Sequence, residues 1–331
     1  MLRDTRIDSI KFFLMICVII GHMVYCDLNG EWTYKLFEFI YSFHMPAFVL
    51  LSGYCYKDKS FKMGGAKDIL NLILVYVIFQ ILYCGDLISL RTIRPFTIDG
   101  IKLNITHFYE PSSVLWYIVA LAVWRIFMYA LPHRFRNKWL FIISIAVSIF
   151  AGYVPLGFEF SFQRIFAFFP FFLLGYFIRL NNAFDMIRAI NHWVFIGVLI
   201  LYVVAIIWGP TIPRCVFTER CHYYEGMIPL YRVFFYCMAL PATISVLNLV
   251  PDIKFFSNEG QKTMSYYIYH PYIIYLFMYL TGTGLGVLPS SLPFVLLYSI
   301  ICLVICFFIA RIPVLNFLVN PLKFKWNKHL K

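Results

Sequence analysis

Three histidines, His22, His44 and His270, sit inside apolar runs of this chain. An ionisable ring in such a run costs several kcal/mol unless it is paired or hydrated, so each is a candidate for chemistry. Histidine is also the side chain best matched to proton transfer near neutral pH. Read as a helix, residues 10–25 give the first of them a defined setting. Lys11 and His22 are eleven residues apart, close to three turns, and share a face; Asp8 lies one turn earlier on the same stripe. The Lys11–His22 gap is about 16 Å along the axis, which puts a carboxylate and an ammonium at one mouth and an imidazole beyond the midplane. The plainer reading of the same residues is an interfacial Asp–Lys pair and a histidine hydrogen-bonded between helices.

The stretch SFHMPAFVLLSGY places His44 about 12 Å inside the opposite surface, on a helix that also holds Pro46, Ser52 and Gly53. A proline there frees a backbone carbonyl, which is tolerated where neighbouring helices or cavity water satisfy it. Two adjacent antiparallel helices would bring His22 and His44 to similar depth on one polar cavity. His270, just before Pro271, is expected in the inner half of its helix in a supporting role. Arg125 lies about 9 Å from the inner surface, where it either snorkels to headgroups or meets an anionic ligand. Arg164 lies at the outer end of its helix near Glu159, as an ion pair or as a contact to a sugar or carboxylate. A zinc site needs three or four ligands, and no third histidine or cysteine matches these in depth, so no metal is expected. The nine cysteines form no CxxC pair. Cys302 and Cys306, one turn apart, read as packing, whereas Cys215 and Cys221 in PRCVFTERCHYYEG are equally compatible with a disulfide and with two free thiols.

The elements that hold these residues follow from composition. Of 331 residues 62% are hydrophobic and 13% charged, too little polar surface for a soluble domain. The apolar runs are continuous and do not alternate at period two, which excludes a β-barrel and points to an all-α polytopic membrane protein. Ten membrane helices are expected, at 10–25, 36–54, 69–90, 114–131, 139–154, 162–180, 193–209, 233–250, 264–280 and 293–310, in one membrane domain covering 1–331. With the N-terminus inside, nineteen Lys and Arg fall on inner loops and eight on outer ones. The net charge of +12 therefore reports cytoplasmic termini and anionic headgroups, and nucleic acid is not an expected partner. The first run lacks a small-residue cleavage site and reads as a retained helix, not a signal peptide. The outer segments 91–113 and 209–232 are long enough to cover a site, and Asn104-Ile105-Thr106 is a glycosylation sequon of consequence only in a eukaryotic secretory pathway. Residues 281–293 form a Gly/Pro/Ser turn. No internal repeat is visible, which weakens a transporter reading.

The segments IDSIKFFLMICVIIGH, SFHMPAFVLLSGY, SSVLWYIVAL, RIFAFFPFFLLGYFI and GQKTMSYYIYHPYII occur in the order found in the acyltransferase-3 family, from about residue 5 to residue 275. They most resemble its fucose 4-O-acetylase-like branch. The resemblance implies an integral-membrane O-acyltransferase that takes an acetyl group from cytoplasmic acetyl-CoA and modifies a glycan hydroxyl. The acceptor would be a cell-envelope polysaccharide or its lipid-linked precursor, and the location the inner (plasma) membrane of a bacterium. The family's basic residue, ten intervening residues and histidine match Lys11 and His22, with lysine where arginine is common. Its Arg-x-x-Arg at the third helix is not matched; only Lys62 and Lys67 stand nearby. Acetyl-CoA is then a co-substrate, with no permanently bound cofactor. Lys11, Lys67 and Arg125 are expected to hold its phosphates, His22 to act as general base, and His44, Ser52 and Arg164 to position the acceptor or the oxyanion. Asp8 and His270 support. No Ser or Cys stands convincingly beside a base, so direct transfer is favoured over an acyl-enzyme. The competing classes are a permease with a histidine proton relay and a non-catalytic partner in glycan export.

Overall fold

The computed structural model describes residues 4–26, 28, 30–57, 65–84, 109–156, 159–223, 228–280 and 291–322. Lys62, the sequon at Asn104, residues 85–90 of the expected third helix and most of the turn 281–293 lie outside them. The described residues form helices and connecting turns, without strands.

Each expected membrane run holds a helix among its described residues. In chain order these are α1 (Thr5–Tyr25), α2 (Glu31–Tyr54), α3 (Gly65–Cys84), α4 (Trp116–Ala130), α5 (Lys138–Ala151) and α6 (Phe162–Leu180). A short α7 (Ala183–Ala189) precedes α8 (His192–Trp208), and a short α9 (Arg214–Thr218) precedes α10 (Pro229–Leu249). Then come α11 (Lys254–Gly260), α12 (Thr263–Leu280), α13 (Leu292–Ile309) and α14 (Pro313–Val319). Helix α1 starts five residues earlier than its apolar run because the Asp4 side chain caps it, accepting the Arg6 N–H at 3.0 Å. Among the described residues, seven helical segments are long and apolar enough to cross a bilayer. Helices α7 and α8, bent by 83°, make an eighth if taken as one span. Helix α5, with 14 residues, rises only about 21 Å, short of the roughly 30 Å hydrocarbon core. The four short helices α7, α9, α11 and α14, of five to seven residues, carry too few residues for a periodic signal in the sequence.

Burial separates inner from outer helices. The α1 and α2 segments are 72% and 83% buried and form the centre, whereas α13 is only 22% buried. Helix α1 packs against α2, α11, α12 and α13, and α2 against α6 and α10. Trp193 and Trp208, both well exposed, stand at the two ends of α8, the positions at which amphipathic rings favour a membrane interface.

Contacts between helix ends gather them into two sets at opposite ends of the bundle. At one end Thr5 and Ser9 donate to Asp252 at 2.6 and 3.0 Å, and Arg6 pairs with Asp185 at 2.7 Å. Arg188 caps the last turn of α10 through the carbonyls of Leu247, Asn248 and Val250. Glu259 receives Arg311 at 2.5 Å, Lys262 at 3.2 Å and the Tyr266 hydroxyl at 2.7 Å. Burial of Glu259 opposes its ionisation, but these donors prevail and hold its carboxyl below the usual range. At the other end Ile212 N–H donates to Glu38, Lys35 to the Gly209 carbonyl, and Tyr34 to the Ile212 carbonyl.

Candidate active site

His22 and His270 meet. His22 Nδ1 lies 3.2 Å from His270 Nε2, between α1 and α12. His270 Nδ1 is 2.9 Å from the Tyr266 carbonyl. A carbonyl only accepts, so His270 Nδ1 carries the proton, and neutral His270 offers a lone pair at Nε2. His22 Nδ1–H therefore donates to it, and the remaining nitrogen of His22, Nε2, is left unprotonated with no protein partner among the described residues. That is the tautomer a general base needs, fixed by a backbone carbonyl acting through a second imidazole. The sequence reading gave His270 a supporting place, and the structure puts it in direct contact.

His44 stands within electrostatic range of both rings. Its Nδ1–H donates to the Ile40 carbonyl at 2.7 Å, and its Nε2 is buried with no hydrogen-bond partner. A neutral His44 held this way can only accept at Nε2. Of the two roles expected for it, contact with an acceptor hydroxyl fits this tautomer, and oxyanion stabilisation does not. Helices α2 and α12, each with a proline just after its histidine, thus each spend one histidine nitrogen on their own backbone.

Arg164 reaches the same place from α6. Its Nε donates to the Thr218 carbonyl at 2.8 Å, and its guanidinium lies 4.6 Å from the Trp116 ring centroid. It does not use Glu159, whose Oε2 is buried without a partner. Arg164 acts electrostatically on His22, on Tyr41 and on Tyr267. The helices that supply Trp116 and Arg164 both start from left-handed backbone, at Ser113 (φ 48°) and at Phe160 and Ser161 (φ 47° and 57°). Non-glycine residues there store about 1–3 kcal/mol each, and such strain is common beside functional groups.

A buried network fixes that corner. Arg232 donates from Nε to Glu219 at 2.9 Å and from Nη1 to the Ser148 carbonyl at 2.6 Å. Gln163 accepts from Arg232 and donates to the carbonyls of Ala151, Val154 and Leu156. These bonds tie the α5–α6 connection, the turn after α9, and α10 into one unit around Arg164.

Of the remaining expected residues, Ser52 and Arg125 fall on a line leading away. Tyr267, 6.1 Å from His270 between ring centroids, packs on Tyr117 at 5.5 Å, and Tyr117 touches the Ser52 hydroxyl. Ser52 donates to the Phe48 carbonyl at 3.0 Å and has no base beside it, which leaves it unsuited as a nucleophile. Arg125 acts on Tyr117 from the far side, its Nε buried without a hydrogen-bond partner. Lys11 pairs with buried Asp8 at 3.4 Å, as expected for one helical turn. Lys67 is exposed on α3, and no contact joins it to this line. Among the described residues no three His, Cys, Asp or Glu side chains converge as metal ligands.

Sequence reasoning missed Tyr41, Trp116, Tyr117 and Tyr267. Tyr41 stacks with His22 at 6.3 Å and meets His44 edge-on at 4.7 Å. A signal was present, because YSFH and YIYH place a tyrosine one turn before each histidine that precedes a helical proline.

Comparison with known proteins agrees with the geometry. A family described as an acyltransferase domain matches residues 4–311. Nodulation protein NolL of Sinorhizobium fredii is 24% identical over 44% of this chain and 41% of its own length. NolL of Mesorhizobium japonicum is 27% identical over 53% of this chain and 47% of its own length. The matched part is thus less than half the length of either relative. No solved structure matches the chain significantly. The domain match covers nearly every described helix and both partners of the His22–His270 pair, and it sets acyl transfer above permeation or a passive export role: the chain belongs to the acyltransferase-3 family of membrane proteins.

Proposed function

We propose that this protein is an O-acetyltransferase of a bacterial plasma membrane. It transfers the acetyl group of cytoplasmic acetyl-CoA to a hydroxyl of a cell-envelope glycan or its lipid-linked precursor. The observation that carries the reading is the His22–His270 pair, which leaves His22 Nε2 as a free base beside Arg164. The excess of Lys and Arg at the end holding Arg6, Lys11, Lys262 and Arg311 supports that side, where the N-terminal end of α1 lies, as the inner one.

In this reading the donor enters from that end. Lys11 and Arg125 attract its phosphates, and its pantetheine arm extends toward His22. The acceptor hydroxyl gives its proton to His22 Nε2 as its oxygen attacks the thioester carbonyl. His270 Nε2 accepts from Nδ1–H and steadies the imidazolium that forms. Arg164 stabilises the tetrahedral oxyanion, and His44 accepts from a hydroxyl of the sugar. The C–S bond then breaks, and His22 returns the proton to the CoA thiolate.

The test is label transfer from acetyl-CoA to envelope glycan by purified protein in nanodiscs, with CoA release followed in parallel. Label in the glycan with equimolar CoA is the expected result; no consumption of acetyl-CoA in the presence of glycan would sink the proposal. The pair makes a further prediction. His270→Gln lowers turnover by about 10–100-fold, because the wrong His22 tautomer becomes accessible, while donor KM is unchanged and the fall in rate varies with pH. A pH-independent loss, or a shift in donor KM alone, would make His270 a packing residue.

A further inference from the structure

The segment around α9 is held to the outer ends of the helices. Ile212 bonds to Glu38 at 2.7 Å, and Val216 and Phe217 are buried in the core. The turn closes where the Glu219 N–H meets the Cys215 carbonyl at 3.0 Å, with Glu219 in the left-handed region (φ 50°). This brings the thiols of Cys215 and Cys221 into hydrogen-bonding contact, both part-exposed. Between the two sulfurs lie Thr218, whose carbonyl holds Arg164, and Glu219, which takes Arg232.

We propose that Cys215 and Cys221 form a disulfide that closes a ring around Thr218 and locks the carbonyl that orients Arg164. The inference rests on the outward placement of this segment given above, where thiols meet oxidants. The oxidant is a thiol–disulfide exchange partner. The Cys215 thiolate attacks one of its sulfurs and releases one thiol. The Cys221 thiolate then displaces the second thiol from the mixed disulfide. Two electrons and two protons pass to the oxidant, which leaves as two thiols. Cys215 is suited to start: the Cys221 thiol, against the opposing effect of burial, lowers it to about 7, with Arg214 adding to the effect. Cys302 and Cys306 also touch, but both are buried on α13, away from an aqueous oxidant.

The experiment labels free thiols with one alkylating reagent and disulfide thiols, after reduction, with a second. It is applied to membranes from growing cells and to purified protein treated with oxidised glutathione. Cys215 and Cys221 should carry the second label together in both samples, in a peptide that was two hydrogens lighter before reduction. This readout needs no substrate, so it stands or falls apart from the acyl-transfer assay. Both thiols free in cells overturns the proposal. For the lock itself, reduction should lower wild-type turnover by about threefold or more, as a shifted Arg164 would. The Cys215→Ser/Cys221→Ser variant should match the reduced enzyme and ignore reductant. Equal turnover of oxidised and reduced wild type overturns the lock.

Discussion

Replacing His22 by alanine should lower acyl transfer by about 10²–10⁴-fold, the usual contribution of a positioned general base. The expectation follows from the number of nitrogens available. His44 and His270, both buried, each have Nδ1 committed to a helical carbonyl, and the Nε2 of His270 is taken by His22. His44 Nε2 is also unpaired but fully buried, whereas His22, part-exposed, keeps at Nε2 a lone pair that is both open and held in orientation. Acetyl-CoA binding should survive the change, since the cations assigned to its phosphates stand about 16 Å along α1 or on other helices. Single-turnover transfer, donor affinity and elution profile would be measured on the same preparation. A well-folded variant within threefold of wild type would remove His22 from the chemistry. Near-zero turnover with unaltered donor affinity is the expected outcome.

The existence of the helices is readable because long apolar runs leave few alternatives, but their limits are less so: α1 and α2 each begin five residues before the expected run, in residues that carry little apolar signal. The α1 stripe was readable for the same reason, and Lys11 does lie against Asp8. What the sequence could not supply was which distant segments meet. His22 and His270 are 248 positions apart, and nothing in either run names the other as a hydrogen-bond partner. Arg164 illustrates the same limit. Glu159 is its near neighbour in sequence, yet the left-handed backbone at Phe160 and Ser161 breaks the helical register between them. The guanidinium turns instead to Thr218 and Trp116. For Lys67, proximity in sequence to the unmatched Arg-x-x-Arg position says nothing of where the side chain stands, and it is exposed on α3. Tyrosines escaped notice for a different reason: in a chain with 20% aromatic residues, type alone singles out none of them.

The largest effect on folding is expected where α2 and α6 cross. A Cβ on Gly175 would stand 1.8 Å from the Leu50 carbonyl oxygen and 2.8 Å from the Tyr54 nitrogen. A Cβ on Gly53 would stand 1.8 Å from the Phe172 carbonyl oxygen. Both clashes are with backbone, so no side-chain rotation relieves them, and the helices must separate. Small residues commonly permit such close approach between membrane helices. Ordinary overpacking costs about 1–3 kcal/mol, and forcing backbone from backbone should reach or exceed the top of that range. Gly175→Val is therefore expected to abolish the folded peak in detergent chromatography, and Gly175→Ala and Gly53→Ala to lower the melting temperature sharply. Catalysis should fall further than stability in any variant that folds. Helix α2 carries His44 and Ser52 while α6 carries Arg164, and a displacement of about 1 Å can cost 10²-fold in rate. Gly197 on α8 is the internal control, because nothing lies within 4 Å of an added Cβ there. Gly197→Ala should be neutral or stabilising by up to about 1 kcal/mol. If Gly53→Ala and Gly175→Ala melted with Gly197→Ala, the close crossing, and the placement of Arg164 that depends on it, would have to be abandoned.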